Sequence, residues 1–250
     1  MSPTTIKNII KTGITYFTWA IATTLFYPIF LPQVLLPKRI RYKNRLFYVT
    51  ATIFSWILVK STFLRVTTHG KENLPTYPNS PAIIVMNHAS SIDIPLGQIV
   101  AGSYPHTWIG HARYGNVPIL GILFKNMHVS LKKMSGSDGR SALLTLYNAI
   151  KDSPRHALIF PEGTRHADGT VHEFYQGFAM LAQKLNRPVI PVFINNMHTI
   201  YPKERYTIDS SNNHVKIIVG QPVYLKQDQE TEDFVKQIHT WFVEQSNDKK

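Results

Sequence analysis

No aspartate or glutamate occurs before Glu72, while Lys7, Lys11, Lys38, Arg39, Arg41, Lys43, Arg45, Lys60, Arg65 and Lys71 all precede it. Interleaved with those cations are two runs without an ionisable Asp, Glu, Lys, Arg or His, Gly13–Leu36 and Leu46–Val59. Cations flanking bare apolar runs suit the anionic surface of a bilayer. The formal net charge is +12, from 27 Lys and Arg against 15 Asp and Glu, so most of it lies in these first residues and the remainder is close to neutral. A nucleic-acid reader is expected to carry its basic stripe on the folded domain, so this distribution argues against a nucleic-acid partner. With no cysteine, a thiol nucleophile, a cysteine thioester on the protein and a cysteine zinc site are excluded.

Pro28 and Pro32 each remove a backbone donor and are expected to break the first run after Tyr27. Gly13–Tyr27 would then measure roughly 22 Å of helix, and the second run roughly 21 Å, against a hydrocarbon core of about 30 Å. If both crossed, the positive-inside rule would place the downstream chain outside the cell. Residues 1–66 therefore read as a helical hairpin dipping into one leaflet, with residues 67–250 on the cytoplasmic face of a bacterial inner membrane or its equivalent. Ala20-Ile21-Ala22 lies inside the apolar run rather than after it, which is not the layout of a signal peptide.

From Thr67 onward, short β-branched runs alternate with helical periodicity. Strands are expected at Ala82–Met86, His128–Leu131, Ala157–Phe160, Val189–Ile194 and Val215–Val219. Helices are expected at Asp93–Val100, at Ser141–Ile150 capped by Ser141, at Phe174–Leu185, and at a closing segment with Phe234, Ile238, Trp241 and Phe242 on one face. Lys71–Ser80 and Lys132–Arg140 read as loops, the latter mobile and beside the site. The class is α/β, with a mixed, partly parallel sheet flanked by helices.

Two segments carry chemistry. Asn87-His88-Ala89-Ser90-Ser91-Ile92-Asp93 follows a buried strand and precedes a helix. On a regular helix His88 and Asp93 would point about 140° apart, so only a turn, with Ser91 as the cap, can fold the carboxylate onto the imidazole. One ring nitrogen would then be held by Asp93 and the other left free as a base; a structural histidine beside a capping aspartate is the plainer alternative. Phe160-Pro161-Glu162-Gly163-Thr164-Arg165 ends another apolar strand. Gly163 permits close backbone approach, Thr164 offers a hydroxyl and Arg165 a phosphate-binding fork, unless Glu162 and Arg165 simply pair with each other. His166, His172 and Glu173 have no standard ligand spacing, so neither a metal nor a cofactor is expected.

Taken with Val189-Ile190-Pro191-Val192, these motifs resemble, in order and spacing over about residues 66–220, the 1-acyl-sn-glycerol-3-phosphate acyltransferases and related glycerolipid acyltransferases. The resemblance implies His88 as general base, Asp93 as its orienting partner, and Glu162, Gly163, Thr164 and Arg165 in the pocket for the acceptor's glycerol phosphate. It also implies a basic block here represented by Lys132 and Lys133, where the family often has arginine. His111 falls where a lysine is common, and Gln176 replaces a frequent lysine. The implied partners are acyl-CoA or acyl carrier protein, a lysophospholipid acceptor, and the membrane. The implied reaction converts lysophosphatidate to phosphatidate. Another lysolipid headgroup, a lipid or thioester hydrolase using the same base, and a non-catalytic lipid-binding protein are the alternatives.

Overall fold

The computed structural model describes residues 3–74, 81–117, 120–131, 137–209, 211 and 213–248. Its helices are α1 (Pro3–Leu35), α2 (Lys38–Arg41), α3 (Arg45–Ser61), α4 (Asp93–Ala101), α5 (Leu120–Met127), α6 (Ser137–Ile150), α7 (Gly177–Leu185), α8 (Met197–Ile200) and α9 (Thr231–Asn247). Its strands are β1 (Arg65–His69), β2 (Ile83–Met86), β3 (His106–His111), β4 (Val129–Leu131), β5 (His156–Ile159), β6 (Val189–Ile194) and β7 (His214–Val219). They form one sheet in the order β1-β7-β6-β2-β5-β3-β4. The five strands from β6 to β4 run parallel, β7 is antiparallel to β6, and β1 is parallel to β7. This is the mixed α/β architecture expected of alternating strand and helix patterns.

Side-chain alternation splits the core into two layers. Ile84, Met86, Ile190 and Val192 face α3 and α4 through Val59, Leu96 and Val100. Ile83, Val85, Val189 and Phe193 meet Phe178 and Leu181 of α7 and Phe234, Ile238 and Phe242 of α9. Gly97 lets α4 approach the sheet closely, because a Cβ there would fall 2.6 Å from the Trp108 ring and 2.9 Å from the Met86 sulfur. A larger residue at position 97 would push α4 off the sheet.

The expected break at Pro28 does not occur. α1 continues through Pro28 and Pro32 to Leu35, roughly 50 Å of helix. Aromatic packing against α3 accounts for this, with Phe30 5.5 Å from Phe47 and 5.8 Å from Phe54, and Phe26 5.4 Å from Phe54 between ring centroids. Each such pair contributes about 0.5–1.5 kcal/mol beyond its buried area, which together with the burial of Phe30 and Val34 against α3 offsets a penalty of about 3 kcal/mol at each proline. By length and composition the stretch Thr5–Leu35 could cross a membrane, and most of its apolar surface is exposed.

Both ends of α1, however, are tied to the α/β domain. Near its start, Asn8 donates to Asp209 at 3.2 Å, the Thr12 hydroxyl accepts the Ile208 amide at 2.9 Å, and Tyr16 donates to the Tyr206 carbonyl at 2.8 Å. Near its end, Arg41 donates to the Val34 carbonyl and to Asn126 of α5, both at 3.0 Å. A helix anchored at both ends lies along the domain rather than projecting from it.

Two strands, β1 and β3, escape the sequence reading: Arg65–His69 is mostly exposed on a sheet edge, and His106–His111 carries polar residues in a buried strand. α6 begins at Ser137, four residues before the expected cap Ser141, so residues 137–140 of the expected loop are helical. Residues 75–80 and 132–136 of the two expected loops lie outside the described residues.

Candidate active site

β2 and β5 are parallel neighbours, so the segments that follow them leave the same edge of the sheet side by side. In the first segment the chain turns tightly and Asp93 opens α4. Its Oδ2 accepts three hydrogen bonds, from His88 Nδ1 at 2.9 Å, the Ala89 amide at 2.7 Å and the Ser90 amide at 2.6 Å. An ionised carboxylate only accepts, so Nδ1 carries the imidazole proton and Nε2 presents its lone pair. Asp93 is 1% exposed and His88 8% exposed. His88 Nε2 makes no hydrogen bond among the described residues.

Ser91 does not cap the helix. The Ser90 hydroxyl instead accepts the Ile92 amide at 3.2 Å, and the Ser91 hydroxyl accepts a hydrogen bond from Arg165. A serine hydroxyl two residues before an amide closes a small turn, a competitor to capping that position in the sequence does not reveal. Asn87 fixes the turn from the other side. Its side-chain amide donates to the Ile194 carbonyl at 2.9 Å while its oxygen accepts the Ile194 amide at 2.7 Å, tying the segment to β6.

The second segment supports the first. Glu162 Oε1 accepts the His88 amide at 3.0 Å, and the His88 carbonyl accepts the His166 amide at 2.9 Å. Burial pushes the Glu162 carboxyl up to about 7. Glu162 and Arg165 do not pair with each other, since Glu162 turns inward to His88 and Arg165 outward to Ser91. Gly163 adopts φ +71°, and a Cβ there would lie 2.6 Å from the Tyr175 ring, so this turn requires glycine on two counts. Thr164 is exposed at the rim. The His88 ring stacks on Phe160, 3.8 Å between centroids at 11°, and Phe160 lies against Trp108 at 5.4 Å.

His111 sits exposed at the end of β3, where its Nδ1 accepts the Arg113 amide at 3.1 Å. Lys132 and Lys133 lie outside the described residues. The sequence reading missed Asn87, Trp108 and the hold of Glu162 on the His88 backbone. No alternation marks Trp108, because His106, Thr107, Trp108 and Ile109 are all buried in β3.

His88 borders two cavities of opposite character. One, of about 360 Å³, is lined mainly by apolar side chains including Phe30 of α1, Phe47, Phe54 and Leu58 of α3, and Trp108 and Phe160. The other, of about 820 Å³, passes Glu162 and runs over β6 and β7 toward the end of α9. A base with a free nitrogen at the junction of an apolar and a polar space can deprotonate an alcohol whose ends differ in polarity. Among the described residues no group of three or more His, Asp or Glu could hold a metal ion.

A family model described as Acyltransferase matches residues 65–195. The 1-acyl-sn-glycerol-3-phosphate acyltransferase of Cocos nucifera is 24% identical over 251 residues, covering 96% of this chain and 76% of that protein. The chloroplastic enzyme BAT2 of Brassica napus, of the same description, is 29% identical over 187 residues, 74% of this chain. The chain spans about half the length of that relative, 52%. Among solved structures, the 1-acyl-sn-glycerophosphate acyltransferase PlsC of Thermotoga maritima superposes with a TM-score of 0.79 at 26% identity, covering 97% of this chain and 96% of its own.

Proposed function

The chain belongs to the acyltransferase family, and on that premise we propose that it moves a fatty acyl group from a thioester donor to the free hydroxyl of a lysophospholipid, lysophosphatidate before others. The observation that carries this reading is the free Nε2 of His88, aligned through Nδ1 by a buried carboxylate and facing both an apolar and a polar cavity.

His88 Nε2 takes the acceptor's hydroxyl proton as the oxygen attacks the thioester carbonyl. The C–O bond forms, the tetrahedral intermediate collapses, the C–S bond breaks, and the thiolate leaves with the proton returned from His88. A thiol of reference pKa about 8.5 is a good leaving group, so no covalent acyl-enzyme is needed. Asp93 fixes the imidazole tautomer and stabilises the imidazolium that forms. Arg165, oriented by Ser91, stands where a lysolipid phosphate would be gripped beside Thr164 and the Gly163 backbone, with Lys132 and Lys133 as further cations and His111 on the same edge of the sheet. Glu162 acts from beneath by holding the His88 backbone rather than by touching a phosphate.

The acceptor and product live in the bilayer, and the exposed apolar face of α1 serves to bring the site to them. Because both ends of α1 are tied to the domain, the helix reads as lying in the interface, with residues 1–66 as the anchor and the α/β unit on the cytoplasmic face.

The test offers the purified protein one labelled acyl thioester with a panel of lysolipids. His88→Ala should lower transfer by about 10²–10⁴-fold while leaving vesicle binding intact. Turnover like that of the unaltered protein would remove His88 as the base, and acyl release that ignores the lysolipid would make the protein a hydrolase.

A further inference from the structure

We propose that the polar groove beside His88 holds the phosphorylated, water-soluble arm of the thioester donor, a phosphopantetheine or its nucleotide extension, with Lys216, His69 and His214 as its phosphate contacts. This rests on the acyl-transfer reading and adds a donor site to it.

The two cavities that meet at His88 are bounded by different parts of the chain. The apolar one is walled by α1 and α3, the helices that carry the exposed apolar surface. The residues lining the polar groove all lie at or beyond His69, so α1 and α3 contribute none of its walls. At about 820 Å³ it is the size of a cofactor-class ligand and several times larger than a glycerol phosphate needs. Of the two substrates, only a thioester donor attaches a long polar arm directly to the reacting carbonyl. An acyl chain in the apolar cavity and an arm in the groove would put that carbonyl at the junction where His88 stands.

The groove's charge fits the same occupant. Lys216 is half-buried and makes no ion pair among the described residues, and the exposed His214 and His69 flank it at the two ends of the β1–β7 ladder, opposite Arg65 and Ile218. His214 Nε2 lies 3.3 Å from the Thr67 hydroxyl, which leaves Nδ1 for a ligand. The two carboxyls that line the groove are already engaged. Glu162 takes the His88 amide at 3.0 Å, and Asp168 takes His172 at 2.7 Å together with the Thr170 amide and hydroxyl at 3.1 and 3.0 Å. The charge left to meet a ligand is cationic, and an extended polyanion is the chemistry it selects.

Calorimetric binding to the full chain tests this with CoA, 4′-phosphopantetheine and pantetheine as probes. Either phosphorylated probe should bind about tenfold tighter than pantetheine, the difference shrinking with salt and in Lys216→Glu. CoA exceeding 4′-phosphopantetheine would place the nucleotide in the groove as well, whereas equal binding would restrict the contact to the arm shared with a carrier protein. In kinetics, Lys216→Glu and His69→Ala should raise the donor KM about tenfold and change kcat and acceptor KM by less than about twofold. Equal affinity for all three probes, or a rise in acceptor KM in place of donor KM, would overturn the assignment. His88→Ala separates the two readings, because it should bind CoA as the unaltered protein does. Lys216-dependent CoA binding without any acyl transfer would sink the proposed reaction and leave the groove standing; transfer indifferent to Lys216 would do the reverse.

Discussion

The two edges of the sheet treat histidine in opposite ways. At the carboxyl-terminal edge, His88 is held at Nδ1 by a carboxylate and keeps Nε2 at a cavity. At the amino-terminal edge, the histidines are enclosed by backbone. His106 has both nitrogens occupied, Nδ1 donating to the Tyr104 carbonyl at 2.7 Å and Nε2 2.8 Å from the Gln98 side-chain amide. His156 Nδ1 accepts the Ala82 amide at 3.0 Å. Burial drives His106 down to about 3 and His156 to about 4, so both stay neutral. Three arginines complete that edge, donating to backbone carbonyls at or just past helix ends: Arg41 to Val34, Arg155 to Ala149, and Arg187 to Ile150 and Ser153. A cation at a helix carboxyl terminus needs no carboxylate partner, because the carbonyls and the helix dipole supply the negative end. Buried basic groups thus build structure at one edge and, in the proposed reaction, chemistry at the other, and the difference lies in whether a nitrogen is left unspent.

The largest expected effect tests the chemical edge. Asp93→Asn keeps an oxygen for the Ala89 and Ser90 amides but removes the charge that stabilises the imidazolium in the proposed reaction. We expect kcat to fall about 10²–10⁴-fold, with the midpoint of thermal unfolding nearly unchanged. A collapse of folding in step with activity would mean that Asp93 is structural, like the groups at the other edge. The converse substitution is Arg155→Met, which keeps the volume of a residue 1% exposed but strands the Ala149 carbonyl and gives up a guanidinium 3.8 Å from the Tyr42 ring centroid. Denaturant unfolding should show a loss of about 3 kcal/mol, with activity per folded molecule retained. Unchanged stability would dissolve the contrast between the edges.

The sequence makes these edges unequally readable. His88 and Asp93 stand out because a strand, a short polar run and a helix start force a turn, and turns bring residues five apart together. Arg155 and Arg187 stand out no more than any surface arginine, because their partners are carbonyls that every residue possesses. β3 is hidden for the same reason: His106 and Thr107 look exposed until the Tyr104 and Met127 carbonyls receive them at 2.7 and 3.3 Å. The straight path of α1 through Pro28 and Pro32 depends on aromatic rings of α3 that local propensity does not see. Lone anchors such as Asn87 are legible only once their strand neighbour is known.

Glu162 lies at the chemical edge yet behaves as a buried structural group, so replacing it sharpens the comparison. Its folded carboxyl is raised to about 7 from an ordinary value of 4.5, so the folded state holds a proton that the unfolded chain has lost over that interval. Stability from this group is therefore full below about pH 4.5 and lost as pH rises through 7, on the order of 3 kcal/mol. Glu162→Gln retains the acceptor for the His88 amide without the ionisation. At pH 7 it should be more stable by on the order of 2–3 kcal/mol in chemical denaturation, the gain vanishing by about pH 4.5. A variant less stable at pH 7 would show that the ionised carboxylate is held by partners stronger than one amide.

The acid response of the unaltered protein is a difference, because the two edges then oppose each other. His106, His128 and His156 have folded values below 6.5, so the unfolded chain binds protons first as pH falls. Their stability is complete above pH 6.5 and drains away below it, on the order of 8 kcal/mol by pH 4.5 for the three. Glu162 returns on the order of 3 kcal/mol over nearly the same interval, leaving a net loss of about 5 kcal/mol between pH 7 and 4.5. In Glu162→Gln the histidine loss stands alone, so its unfolding free energy should fall with acid about one and a half times as steeply as that of the unaltered chain. Parallel pH profiles for the two proteins would show that these groups do not titrate with folding, and the contrast between a structural and a chemical edge would have to be drawn on geometry alone.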